Sequence, residues 1–167
     1  DHLNMVERYI PYVQANFVWG LDQDAGDEPF TLTRGFLDRA PAAFPSHNLF
    51  TAYGDSAPLS VRLGLEGRLL NVPFPLQDTS SIHNVRLRNY SAAEFYGRMA
   101  GLARHCYSPA AVLRRFDRNP HRWSSAARWM NVARSIGESW RGPYYARMKR
   151  LFESDEEMQR FASGSGG

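Results

Sequence analysis

The chain holds one cysteine, Cys106, and one lysine, Lys149, in 167 residues. A single cysteine excludes an internal disulfide framework and suits a reducing, cytoplasmic setting. No run approaches the ~18 apolar residues that a membrane-spanning helix needs, no signal-peptide pattern is visible, and no membrane partner is expected. The five histidines show neither HxxxH nor CxxC spacing, so no zinc site is expected. The acidic stretch Asp22-Gln23-Asp24-Ala25-Gly26-Asp27-Glu28 fails as a calcium loop. Counted from Asp22, Gly26 stands where an oxygen ligand belongs and Thr33 where the closing glutamate belongs. It reads as a solvated loop. There is no internal repeat and no heptad run.

What is present is aromatic and basic. Aromatic residues make up 13% and hydrophobic residues 43% of the chain, which argues for a packed globule or a piece of one. The first residue is Asp1 and the last five are Ser-Gly-Ser-Gly-Gly, so the chain reads as a segment of a longer protein. Its glycine-rich end is either a loop or an appended linker. Residues 1–90 carry 7 Arg against 10 Asp and Glu, a balance of −3; residues 91–167 carry 12 Arg and Lys149 against 7 Asp and Glu, a balance of +6. Nineteen arginines to one lysine reflect either a GC-rich coding sequence or a use for planar, bidentate guanidinium groups.

The basic half is helical in pattern. Ser91-Ala92-Ala93-Glu94 has the form of a capping box, and Ala92, Phe95, Tyr96, Met99, Leu102, Ala103 and Cys106 follow on one face. Ser108-Pro109 opens a second helix carrying Val112, Leu113 and Phe116, and Asn119-Pro120 stops it. Ser124 opens a third, with Trp129, Val132, Ala133, Ile136 and Trp140 as its core-facing stripe. Gly142-Pro143 ends that helix and starts the next, which carries Tyr144, Met148, Leu151 and Phe152. Ser154-Asp155-Glu156-Glu157 forms a second capping box ahead of Met158 and Phe161.

The first 90 residues are less regular. Residues 3–19 read as a helix interrupted or started by Pro11 and ended by Gly20, with Val6, Tyr9, Ile10, Val13 and Phe17 at helical spacing. Phe30 to Ala40 is either a short helix or a strand, and the stretch around Asn48-Leu49-Phe50 reads as irregular. Leu59, Val61, Leu63 and Leu65 alternate with polar residues and small glycine, which predicts a strand. Glu66-Gly67 would turn it into a hairpin with Arg68 to Val72, and Asn84 to Tyr90 alternates again. The expected fold is mainly α, a helical layer with a small β-hairpin element and long irregular segments and no Rossmann-like alternation. Residues 1–90 and 91–162 belong to one domain, followed by a flexible or linker-like end at 163–167.

Arginines interleaved with aromatics are the nearest thing to a functional pattern. Arg122-Trp123, Arg128-Trp129, Trp140-Arg141 and Tyr144-Tyr145 with Arg147, Lys149 and Arg150 combine cations for phosphate with planes for bases or for a protein neighbour. Arg122, Trp123, Arg128, Arg141, Tyr145, Arg147, Lys149 and Arg150 are therefore the candidate contacts to RNA or to other copies, whereas Trp129 and Trp140 belong with the core. RNA contact of this kind would be salt-sensitive and indifferent to sequence. No catalytic residue is assigned. Cys106 sits on the buried stripe, and its neighbour His105 points about 100° away on a helix.

Two resemblances bear on function. Phe30-Thr31-Leu32-Thr33-Arg34-Gly35 resembles the strand-borne arginine of mono-ADP-ribosyltransferases, and Thr79-Ser80-Ser81 loosely resembles their serine motif. The acidic pair that completes that family's site is missing here. The final third, from Tyr144 through Phe161-Ala162-Ser163-Gly164-Ser165-Gly166, resembles partitivirus-type capsid proteins, and Phe44-Pro45-Ser46-His47-Asn48-Leu49-Phe50 is compatible with them. That resemblance implies a helical shell subunit that dimerises and closes an icosahedral virion around double-stranded RNA, with no catalysis and no cofactor. The leading expectation is thus a self-assembling structural protein whose partners are copies of itself and RNA. The alternatives are an ADP-ribosyltransferase-like effector enzyme and a basic RNA-binding helical module.

Overall fold

The computed structural model describes residues 2–54, 56–73, 77, 81–122 and 125–164. The fold is mainly α. Helix α4 (Ala92–Tyr107) is its axis and packs along α7 (Arg141–Ser154). Ser91 caps α4 by accepting the Glu94 amide at 3.2 Å. Glu94 turns away from the cap and pairs with Arg98 one turn on, so the serine half of the box forms and the glutamate half does not. The apolar face of α4 points inward: Phe95, Tyr96, Met99, Leu102, Ala103 and Cys106 are buried, and Ala92 in the first turn is half-buried against the same core. Against it α7 sets Tyr145, Met148 and Phe152, with the Tyr96 and Phe152 rings stacked at 5.5 Å. α5 (Pro109–Arg118) starts from Ser108, which accepts the Ala111 amide. α6 (Ala126–Glu138) and α8 (Glu156–Ser163) complete the layer. The cap of α8 is Asp155, which accepts the Glu157 and Met158 amides, while Ser154 is the last residue of α7. Gly164 ends α8 in the left-handed region at φ 71. Ser124, expected to open α6, lies outside the described residues.

The β element is a parallel pair and not a hairpin. Helix α1 (His2–Tyr9) stops ahead of Pro11, and β1 (Gln14–Trp19) follows where the helix was expected to continue. α2 (Glu28–Arg39) then carries the chain back to β2 (Phe44–Leu49), which pairs with β1 in register from Gln14↔Phe44 to Trp19↔Leu49. The stretch read as irregular is therefore a strand, and the ambiguous Phe30–Ala40 is helix. A β-α-β unit exists after all, because Pro11 removes an amide from the helix and Tyr12 to Trp19 is rich in residues that suit a pleated, half-buried surface.

Residues 58–65 form helix α3 (Pro58–Leu65), which corrects the strand reading. Pro58 sits where a helix tolerates its missing N–H, and only Ser60 and Leu63 are buried, three residues apart, while Leu65 is 86% exposed. The apparent alternation matched no buried face. Arg68 to Val72 instead meets Asn84 to Arg86 through a Leu69↔Val85 antiparallel bridge and the flanking bonds Leu70 N–H to Asn84 O and Arg86 N–H to Arg68 O. Asn84 grips Ala52 like a strand neighbour, accepting its N–H at 2.9 Å and donating to its carbonyl at 2.7 Å.

Candidate interface on helices α5 and α6

Helix α6 is built inside out. Its buried side chains are Arg128, Asn131 and Ser135, and its exposed ones are Ala126, Trp129, Met130, Ala133, Ile136 and Gly137. The reason lies in what it covers. Backbone carbonyls at helix ends and strand approaches need donors when they are taken from water. Arg128 donates to the carbonyl of Asn119 at the end of α5, and Asn131 Nδ2 donates to the carbonyl of Ala42 ahead of β2 at 3.0 Å. Ser135 accepts Arg115 Nη2 at 3.0 Å and donates to Asn131 O at 2.7 Å. Arg134 reaches Tyr12 and Gln14 with its guanidinium 4.5 Å from the centre of the Phe44 ring. Burial pulls the Arg115 guanidinium pKa down, the electrostatic cost of this polar seam.

With its polar side used internally, α6 turns its apolar side out. Trp129 packs at 5.1 Å on Phe116 and still exposes 56% of its surface; Ile136 exposes 64% and Leu113 of α5 60%. Between the two helices runs a groove of about 510 Å³ walled by Val112, Leu113, Phe116, Trp129, Val132 and Ile136. None of the exposed residues of α6 is charged. The stripe assigned to the core, Trp129, Ile136 and Trp140, is thus a surface. Period alone told the helix but not which of its two stripes faces inward.

The residues singled out from the sequence divide. Arg141 is buried and donates to the carbonyl of His47 at 2.6 Å and to Tyr145 Oη at 3.2 Å, with Glu138 as its ion-pair partner. Arg128 and Tyr145 are buried as well. These three serve the interior, not an outer contact. Lys149 is half-buried and pairs with Glu153 at 2.8 Å. Arg122, Arg147 and Arg150 are exposed, and Trp123 lies outside the described residues. The Arg34 of the ADP-ribosyltransferase comparison stands on helix α2 and not on a strand, which removes the geometry of that resemblance; Thr79 and Ser80 lie outside the described residues.

Cys106 has a histidine neighbour that its sequence context conceals. Trp19 Nε1 donates to His47 Nδ1 at 3.1 Å, so the His47 proton sits on Nε2, which faces Cys106 Sγ at 3.3 Å. Burial pushes the Cys106 thiol up to about 12 and His47 down to about 3. The pair is neutral thiol and neutral imidazole, a polar rivet without a thiolate. Among the described residues no group of three or more His, Cys, Asp and Glu could hold a metal ion, and no helix is long and apolar enough to cross a membrane. No protein family, no curated protein and no solved structure matches this chain.

Proposed function

We propose that this protein is a structural, self-associating subunit that seats the α5–α6 face against another copy. The observation that carries the reading is the uncharged outward side of α6 set beside its Arg128, Asn131 and Ser135 interior. A helix meant for water places its charges outside. A contiguous apolar patch with exposed tryptophans is the composition of an interface centre. The coat-protein resemblance of the final third supplies the form of assembly, a shell around double-stranded RNA. In that form the exposed Arg147 and Arg150 are the residues to meet phosphate.

Light-scattering mass of the intact protein across the micromolar range tests this. Discrete oligomers or particles form without added ligand, and Ile136→Glu shifts them to monomer with an unchanged helical circular dichroism signal. A protein that stays monomeric throughout overturns the reading.

A further inference from the structure

A separate cavity of about 270 Å³ opens where the start of α4 meets α8 and the end of α7. It shares no lining residue with the α5–α6 groove. Its walls are largely apolar: Leu87, Phe152, Ala162 and the ring of Tyr90, whose hydroxyl donates to the carbonyl of Gly26 at 2.9 Å. The polar side chains of Ser91, Gln159 and Ser163 are each bonded within the chain, to Glu94 N–H, Glu153 O and Arg160 O. Among the described residues no carboxylate lines the cavity, and Arg86 is its one formal charge.

Three groups at the cavity are left without a partner among the described residues. The Arg86 guanidinium makes no hydrogen bond or ion pair, and its Nη2 occupies the place that a Cβ on Gly164 would take. The missing side chain of that glycine is what seats the cation on the rim. Ala92 and Ala93 open the 16-residue helix α4, so their N–H groups have no intrahelical acceptor and carry its positive end. His83 is only 2% exposed; its Nδ1 lies 3.1 Å from Tyr96 Oη and its Nε2 has no partner. A buried ring nitrogen of this kind marks what the cavity lacks.

We infer that this cavity binds a small organic acid, a monocarboxylate with a compact aryl or alkyl body. The carboxylate takes the guanidinium fork of Arg86 and the α4 amides, and the body lies against Leu87 and Phe152. Tyr96 Oη is 3.3 Å from Ser81 O and 3.1 Å from His83 Nδ1, so its proton has two acceptors. A bound carboxylate selects Nδ1, which leaves Nε2 with the proton that faces the ligand. Size sets the body. A cavity of about 150 Å³ takes a benzene-sized molecule, so about 270 Å³ holds a ring with a short acid arm. A phosphate dianion matches less well, because it brings a second charge to a single cation and leaves the apolar wall uncovered.

Phenylacetate is the probe. Titrated into the intact, isotope-labelled protein, it shifts the Ala92 and Ala93 amide resonances saturably. Arg86→Leu weakens it about tenfold or more, and Ala162→Leu, which fills the cavity, blocks it. Arg86 has no partner to lose and Ala162 is half-buried, so both variants keep the parent's melting temperature. The absence of a saturable shift overturns the assignment, as does binding that both variants leave unaltered. Acetate and benzyl alcohol, which carry the charge and the body alone, each bind about tenfold more weakly or worse; parity of either with phenylacetate overturns it. Inorganic phosphate binding more tightly than phenylacetate overturns the carboxylate in favour of a plain anion site.

Discussion

Arg141 donates to the main-chain carbonyl of His47 at 2.6 Å, tying the first turn of α7 to strand β2 through the middle of the domain. Replacing it removes at once the donor to that carbonyl and to the Tyr145 hydroxyl and the ion-pair partner of Glu138. Arg141→Met is expected to cost about 2–4 kcal/mol, the range for removing one partner of a buried ionic group. Arg147→Ala and Arg150→Ala, at exposed positions of the same helix, change stability by less than about 0.5 kcal/mol. Urea unfolding of the three variants checks the contrast.

The His47–Cys106 contact fixes how the thiol behaves. With its pKa near 12 and almost no exposure, Cys106 is expected to resist a thiol reagent in the folded protein at pH 8 and to react with one equivalent in denaturant. Cys106→Val removes the acceptor of the His47 Nε2 proton and costs about 1–3 kcal/mol, while Cys106→Ser retains an acceptor and costs less. Rapid labelling of the native protein would contradict this arrangement.

Acid sensitivity follows from two buried imidazoles. Burial lowers His47 to about 3 and His83 to about 4, whereas an unfolded histidine binds a proton near 6.5. Stability is therefore complete above that value and declines as pH falls toward the folded-state values, since the unfolded chain takes up more protons in that window. Each histidine contributes a slope of up to about 1.4 kcal/mol per pH unit. Urea midpoints at pH 7, 6 and 5 should fall in sequence, and His83→Gln should flatten the decline. A midpoint constant over that range would disprove the account.

Asn84 closes the smaller core around Ala52, Leu63 and Val85. Because its amide satisfies both main-chain groups of Ala52, Asn84→Ala is expected to cost about 2 kcal/mol. Asn84→Asp is expected to be worse, as it loses the donor and buries a charge. Thermal melting of both variants tests the order.

What could be read in the sequence was local. Ser91 and Ser108 each announce a helix three residues ahead of the amide they cap, and the stripe from Phe95 to Cys106 lies within a single helix. The parallel strands are another matter. Gln14 finds its partner at Phe44, across an intervening helix, and no short-range pattern encodes that pairing. Leu59 to Leu65 misled because apolar residues that stay exposed mimic an alternation with a buried face. The candidate interface was missed for a subtler reason: α6 carries a polar stripe and an apolar stripe of the same period. What decides between them is the carbonyls of Asn119 and Ala42, which only the assembled chain brings beneath it. The link from His47 to Cys106 spans 59 residues and was equally out of reach.

The inverted build of α6 has a thermodynamic consequence. A segment fastened mainly by side-chain bonds to carbonyls draws little from the hydrophobic driving force within its own molecule. Any cover over its oily flank lends it that missing contribution, and by mass action the benefit scales with how often the cover is present. The temperature at which this protein melts should then climb with its own concentration, and α6 amides should be the first to exchange with solvent on dilution.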